Sequence, residues 1–135
     1  MSTNSTIAVQ LPDGSIKQVY CHWDGYLEHN GKLLVENYNA QDFAEALVEL
    51  GSISSLHERI TPTSNSHTYD NPEKGVTVFF GRDCGEEDTE YQQFFNFEDY
   101  DKNGRGEQFN YLFADGRWSC ECRGEIINVA RALNE

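Results

Sequence analysis

Apolar residues recur at every second position through Ile7, Val9 and Leu11, break at Pro12-Asp13-Gly14, and the period of two resumes through Ile16, Gln18 and Tyr20. Alternation on both sides of a turn-forming triplet predicts a β-hairpin over residues 6–22. A second hairpin is expected where Tyr111-Leu112-Phe113 and Trp118-Ser119-Cys120 flank Asp115-Gly116. Residues 32–38 and 76–81 are shorter strand candidates, which gives five or six strands.

The period lengthens elsewhere. Asn39 is placed to cap a helix over 40–50 that carries Phe43, Leu47 and Leu50 on one face, and Gly51 suits the position after its end. A short helix is expected over 52–58. A terminal one is expected over 125–133, with Ile126, Val129, Ala130 and Leu133 at helical spacing. The Ser-, Thr- and Asn-rich stretch 61–74 reads as a loop. The pattern predicts one α+β domain spanning 1–135, an antiparallel sheet of five or six strands covered on one face by two or three helices, in the order β-β-β-α-α-β-β-β-α.

Composition supports a packed core: 38% of residues are hydrophobic and 13% aromatic, which separates the chain from disordered acidic tails. Net charge is −13, from 10 basic and 23 acidic residues. That balance argues against direct contact with nucleic acid, whose phosphates recruit Lys and Arg, and points to basic proteins as partners. No apolar run approaches a membrane span, and Met1-Ser2-Thr3-Asn4-Ser5-Thr6 has no signal-peptide character. A cytoplasmic protein is expected, with Cys21, Cys84, Cys120 and Cys122 as four thiols and with no cofactor.

The acid is concentrated. Asp83, Glu86, Glu87, Asp88, Glu90, Glu98, Asp99 and Asp101 fall within 19 residues that hold no base. They enclose Tyr91, Phe94, Phe95, Phe97 and Tyr100, so the segment reads as a sticky acidic surface, with Tyr91, Phe94 and Phe97 as candidate anchors. As one helix it would carry a charge every ~3.5 Å, close to the spacing of phosphates along a DNA strand; extended or looped, its charge density falls below half of that.

Four other motifs bear on chemistry. Asp99, Asp101 and Asn103 with Gly104 match the first half of a calcium loop over 99–110, but Asn110 stands where a bidentate carboxylate is needed, so an acidic Asn-Gly turn is the plainer reading. Cys21-His22-Trp23-Asp24-Gly25-Tyr26 offers a His-Asp pair with no nucleophile beside it; the plainer reading puts Trp23 in the core and turns the chain at Asp24-Gly25. Cys120 and Cys122 share a strand face at a spacing unsuited to a zinc knuckle. Arg82, between Gly81 and Gly85, sits in a context too acidic for a phosphate and serves to neutralise its neighbours.

Residues 19–26 (Val-Tyr-Cys-His-Trp-Asp-Gly-Tyr), Gly81-Arg82-Asp83 with Gly85-Glu86, and residues 111–118 give the chain a resemblance to a group of small, functionally uncharacterised proteins of tailed bacteriophages. The resemblance spans about residues 5–120 and implies a setting, the bacterial host cytoplasm; it assigns no activity or site residue. The expected function is therefore non-enzymatic: binding of a basic host protein, by analogy a nucleic-acid-binding defence factor, so as to inhibit or redirect it, with DNA mimicry as one form. The alternative is a small-ligand or nucleotide-signal sponge with His22, Trp23, Asp24 and Arg82 lining its pocket.

Overall fold

The computed structural model describes residues 3–134. β1 (Ser5–Gln10) and β2 (Ile16–Cys21) form the first hairpin, with Ile7 opposite Val19. Asp13 closes its turn by accepting from the Ser15 amide at 2.9 Å and the Ser15 hydroxyl at 2.6 Å. β6 (Phe109–Ala114) and β7 (Arg117–Cys122) form the second around Asp115 and Gly116, both at positive φ, as a two-residue turn between twisted strands requires.

The two hairpins fuse through β1 and β6, which run parallel with Ile7 beside Tyr111. With β3 (Ile53–Ser55), β4 (Val78–Phe79) and β8 (Glu125–Asn128) the order across the sheet is β4-β3-β2-β1-β6-β7-β8. β5 (Gln92–Phe94) lies along the outer edge of β2, opposite Ile16–Gln18, while β3 takes the other end of that edge at Cys21. The sheet is thus mixed and has eight strands, where an antiparallel sheet of five or six was expected. β1, buried along almost its whole length, is satisfied only as an interior strand, and the chain supplies its second neighbour from a distant segment running in the same direction.

Alternation along the strands divides the interior in two. On one face Ile7, Val9, Val19, Tyr111, Phe113 and Trp118 pack against Leu34 of α1 (Lys32–Asn37), against Ala44, Leu47 and Val48 of α2 (Gln41–Glu49) and against Val129 of α5 (Val129–Leu133). On the other, Ala8, Ile16 and Leu112 meet Phe94 and Tyr100, the latter from α4 (Phe97–Asn103). Both faces are therefore covered in part, against the single covered face expected.

Where a strand was expected over 32–38, Lys32–Asn37 form α1, entered through a π-helical turn at Leu27–Gly31, because the run Leu33-Leu34-Val35 fits a helix as well as a strand and Leu34 is buried under it. Residues 52–58 supply β3 instead of a helix, since Ile53 pairs with both Cys21 and Phe79. The strand over 76–81 shrinks to β4 and runs into α3 (Phe80–Cys84). The terminal helix is halved: 125–128 pair with β7 as β8, and Asn128 then caps α5 by accepting from the Arg131 amide at 3.0 Å. α2 begins after Ala40, not Asn39, and buries Ala44, Leu47 and Val48, leaving Phe43 56% exposed.

Candidate functional site

The acidic segment is not one helix. α3 stops at Gly85, in the left-handed region at φ +75, and Glu86 donates its amide to the Phe80 carbonyl at 3.0 Å. The chain then loops back to Thr89, whose carbonyl accepts from the Ser52 amide at 2.8 Å, before entering β5. Two glycines admit this return: a Cβ on Gly81 would stand 2.7 Å from Thr89 Oγ1, and one on Gly51 would collide with the Thr89 carbonyl. After β5, Asn96 caps α4 by accepting from the Asp99 amide at 2.9 Å. A helix end, a pinned loop, a strand and a seven-residue helix cannot set the carboxylates at the regular phosphate-like spacing that a single helix would give.

The eight carboxylates have different fates. Asp83 is spent inside the protein, accepting from Arg82 Nε at 2.8 Å and the Phe79 amide at 2.8 Å and lying 3.3 Å from His67 Nε2. Burial alone would raise its pKa, but Arg82, the Phe79 amide and His67 outweigh burial and hold the carboxyl below its ordinary value. Asp99 accepts from the Phe95 amide at 2.9 Å, the first cause of its lowered pKa, and from Asn103 at 2.7 Å. Asp101 pairs with Arg105. Glu86, Glu87, Asp88, Glu90 and Glu98 are exposed and form no ion pair among the described residues.

The aromatic anchors also separate. Phe94 belongs to the second core cluster, and Tyr91 is half-buried beneath Lys17, whose Nζ lies 4.2 Å from its ring centroid. Phe97 is 43% exposed. Phe95, not among the expected anchors, is 89% exposed. Its signal was the Phe94-Phe95 pair itself: neighbouring residues at a strand point to opposite sides, so when one is core the other faces water.

The four residues of the alternative pocket each have contacts of their own. β2 ends at Cys21, and the His22 and Trp23 amides donate to Ile53 and Ser54 carbonyls at 3.0 Å. His22 Nδ1 lies 2.6 Å from the Tyr20 hydroxyl, and Asp24 takes positive φ and accepts from Tyr26. Trp23 is 43% exposed, contrary to its expected place in the core; Trp118 is the buried tryptophan, donating its indole N–H to the Tyr38 carbonyl at 3.1 Å. Arg82 is occupied elsewhere, bonding Asp83, the Ile60 carbonyl at 2.7 Å and the Thr77 carbonyl at 3.0 Å.

Of the metal-like motifs, the 99–110 stretch has α4 over its first half, and Asp99 and Asp101 bind protein donors. Asn110 is buried in β6, accepting from Thr6 Oγ1 at 2.8 Å and donating to Glu121 at 2.8 Å. All four cysteines are free thiols; burial raises the pKa of Cys21 to about 11 and that of Cys120 to about 12, so neither is a ready thiolate at neutral pH. Among the described residues no three His, Cys, Asp or Glu side chains converge as a metal cage, and no helix is long and apolar enough to cross a membrane.

One polar cluster went unread in the sequence. Glu73 gathers the amides of Thr63 and Ser64, both their hydroxyls, and Arg59, and its own amide donates to His67 Nδ1 at 2.9 Å. With His67 Nδ1 bonded to the Glu73 amide and its Nε2 lying 3.3 Å from Asp83 Oδ2 without hydrogen-bond geometry, these contacts hold loop 61–74 against α3. Comparison with protein families, curated proteins and solved structures finds no match to this chain.

Proposed function

We propose that this chain is a non-enzymatic binder of a basic protein, a host nucleic-acid-binding factor in the bacterial setting, which it inhibits or redirects by occupying that protein's basic face. The observation that carries the reading is the loop between α3 and β5: Glu86, Glu87, Asp88 and Glu90 are exposed and form no ion pair among the described residues, on backbone pinned at Thr89 to Ser52. A charge run held in place loses little conformational freedom on binding, whereas a solvated tail loses much. Phe95 and Phe97 follow it and supply apolar contact, so charge steers the encounter and the aromatics hold it. Mimicry in this form is a matter of net negative surface, not of a rail of regularly spaced charges.

The test is retention of lysate proteins by the immobilised protein at low salt, with the triple variant Glu86→Lys, Glu87→Lys, Asp88→Lys alongside. The reading expects a nucleic-acid-binding protein retained by the wild type, released by moderate salt, and held at least tenfold less by a variant that melts at the same temperature. Equal retention by both proteins overturns it.

A further inference from the structure

β5 pairs with β2 along one side and with no described strand along the other. Gln92 and Gln93 are exposed and no described backbone outside the β2 ladder bonds to residues 92–94, the condition under which a sheet edge accepts another strand. Natural edges are commonly blocked by Lys, Pro or a bulge. Here Lys17, the cation beside β5, is already paired with Glu49 at 3.0 Å, and the segment itself contains no Pro.

A second feature meets this edge at its end. Asp13, Ser15, Gln93, Phe94 and Phe95 line a cleft of about 440 Å3. Asp13 uses Oδ1 on Ser15, while its Oδ2 bonds no described residue. The cleft is thus lined by both a carboxylate residue and an exposed aromatic ring, a setting that takes the ammonium or guanidinium of a side chain whose aliphatic stem lies against the ring. The Glu86–Glu90 loop lies just before the strand and Glu98 just after it, so the open backbone is flanked by negative charge at both ends.

We propose that the free edge of β5 is the docking track of the acidic surface, and that its occupant is an extended Lys- or Arg-bearing segment of the partner, added to the sheet as a further strand with one basic side chain in the Asp13–Phe95 cleft. The proposal rests on the acidic-binder reading and specifies the form of the partner. Backbone bonds supply affinity independent of sequence, and the cleft and flanking carboxylates select basic residues at alternate positions. A second copy of this chain would bring the same negative edge and is repelled.

Two synthetic octapeptides of equal charge separate the possibilities, one alternating Lys with Val and one alternating Lys with Pro, which cannot complete a β-ladder. Calorimetric titration at low salt is combined with amide exchange at Gln92–Phe94. The Lys/Val peptide is expected to bind at least tenfold more tightly, to slow β5 exchange, and to lose at least threefold in affinity with Phe95→Ala or Asp13→Asn, the first of which alters only an exposed ring. Equal binding of both peptides, or β5 exchange unchanged in the complex, overturns strand addition and leaves a purely charge-driven surface. Failure of both peptides to bind also overturns it, and the lysate retention above then decides separately whether the acidic surface itself is used.

Discussion

Ser52 donates its backbone N–H to the carbonyl of Thr89 at 2.8 Å, joining the entry of β3 to the return of the acidic loop. Gly51, at φ +88, lets the two backbones meet so closely that any Cβ there would strike the Thr89 carbonyl. Gly51→Ala therefore combines left-handed strain with a backbone clash and should cost about 2–3 kcal/mol. Urea unfolding measures the cost. A loss under about 0.5 kcal/mol would show that the loop is free to move away, and with it the premise that it is held in place.

Loop 61–74 should release in acid. Hydrogen bonds from the Thr63 amide and the Ser64 side chain depress the Glu73 pKa, with Arg59 adding to them, and the Asp83 pKa is also lowered. Carboxyls with folded values below their unfolded ones, ordinarily 4.5 and 3.8, stabilise the loop fully above about pH 5 and lose that contribution as pH falls from there through the folded values. Protease cleavage within 61–74 should accelerate below pH 4.5 while the two hairpins stay protected. Glu73→Gln should make the loop cleavable at pH 7 and flatten the profile; a loop equally resistant at pH 3 would contradict the clasp.

The two tryptophans should behave oppositely. Trp23→Phe is expected to remove the fluorescence accessible to acrylamide and to cost under about 1 kcal/mol, as suits a half-exposed ring. Trp118→Phe breaks the bond to the Tyr38 carbonyl and leaves a void beside Phe113, for a cost of about 2–4 kcal/mol. Quenching of the wild type that survives Trp23→Phe unchanged would refute this assignment.

The Tyr100 hydroxyl is buried beside the Arg105 guanidinium and makes no hydrogen bond of standard geometry among the described residues; burial raises its pKa to about 12 against the opposing pull of Arg105. Removing it in Tyr100→Phe should be neutral or stabilising by up to about 1 kcal/mol, whereas Tyr100→Ala, which empties the core under α4, should cost about 3–5 kcal/mol. Thermal melts of both variants test this. Destabilisation by Tyr100→Phe of more than about 1 kcal/mol would mean that the hydroxyl is bonded.

What could be read from the sequence was whatever local chemistry decides. Pro12-Asp13-Gly14 and Asp115-Gly116 fix both hairpins through their own turn geometry, and Gly51 ends α2 where its φ requires. What escaped was decided at a distance. Ile53–Ser55 and Glu125–Asn128 are short stretches of mixed polarity that become strands by pairing with Cys21, Phe79 and β7. The acid-rich stretch was recognised by composition, yet its division into spent and free carboxylates depends on Arg82, His67, Asn103 and Arg105, whose positions no local pattern gives. Phe95 lay beyond local pattern for a similar reason: which member of a Phe-Phe pair turns outward depends on the register in which β5 pairs with the edge of β2.

The parallel contact of β1 with β6 has a kinetic consequence. Thr6 and Asn110 share a hydrogen bond across 104 positions of the chain, so the first hairpin cannot gain its inner neighbour until most of the polypeptide is available. Closing so long a loop slows the folding search. During synthesis β1 waits with an unpaired side at the surface of an unfinished protein, and the interval before β6 arrives is when this chain is most open to mispairing.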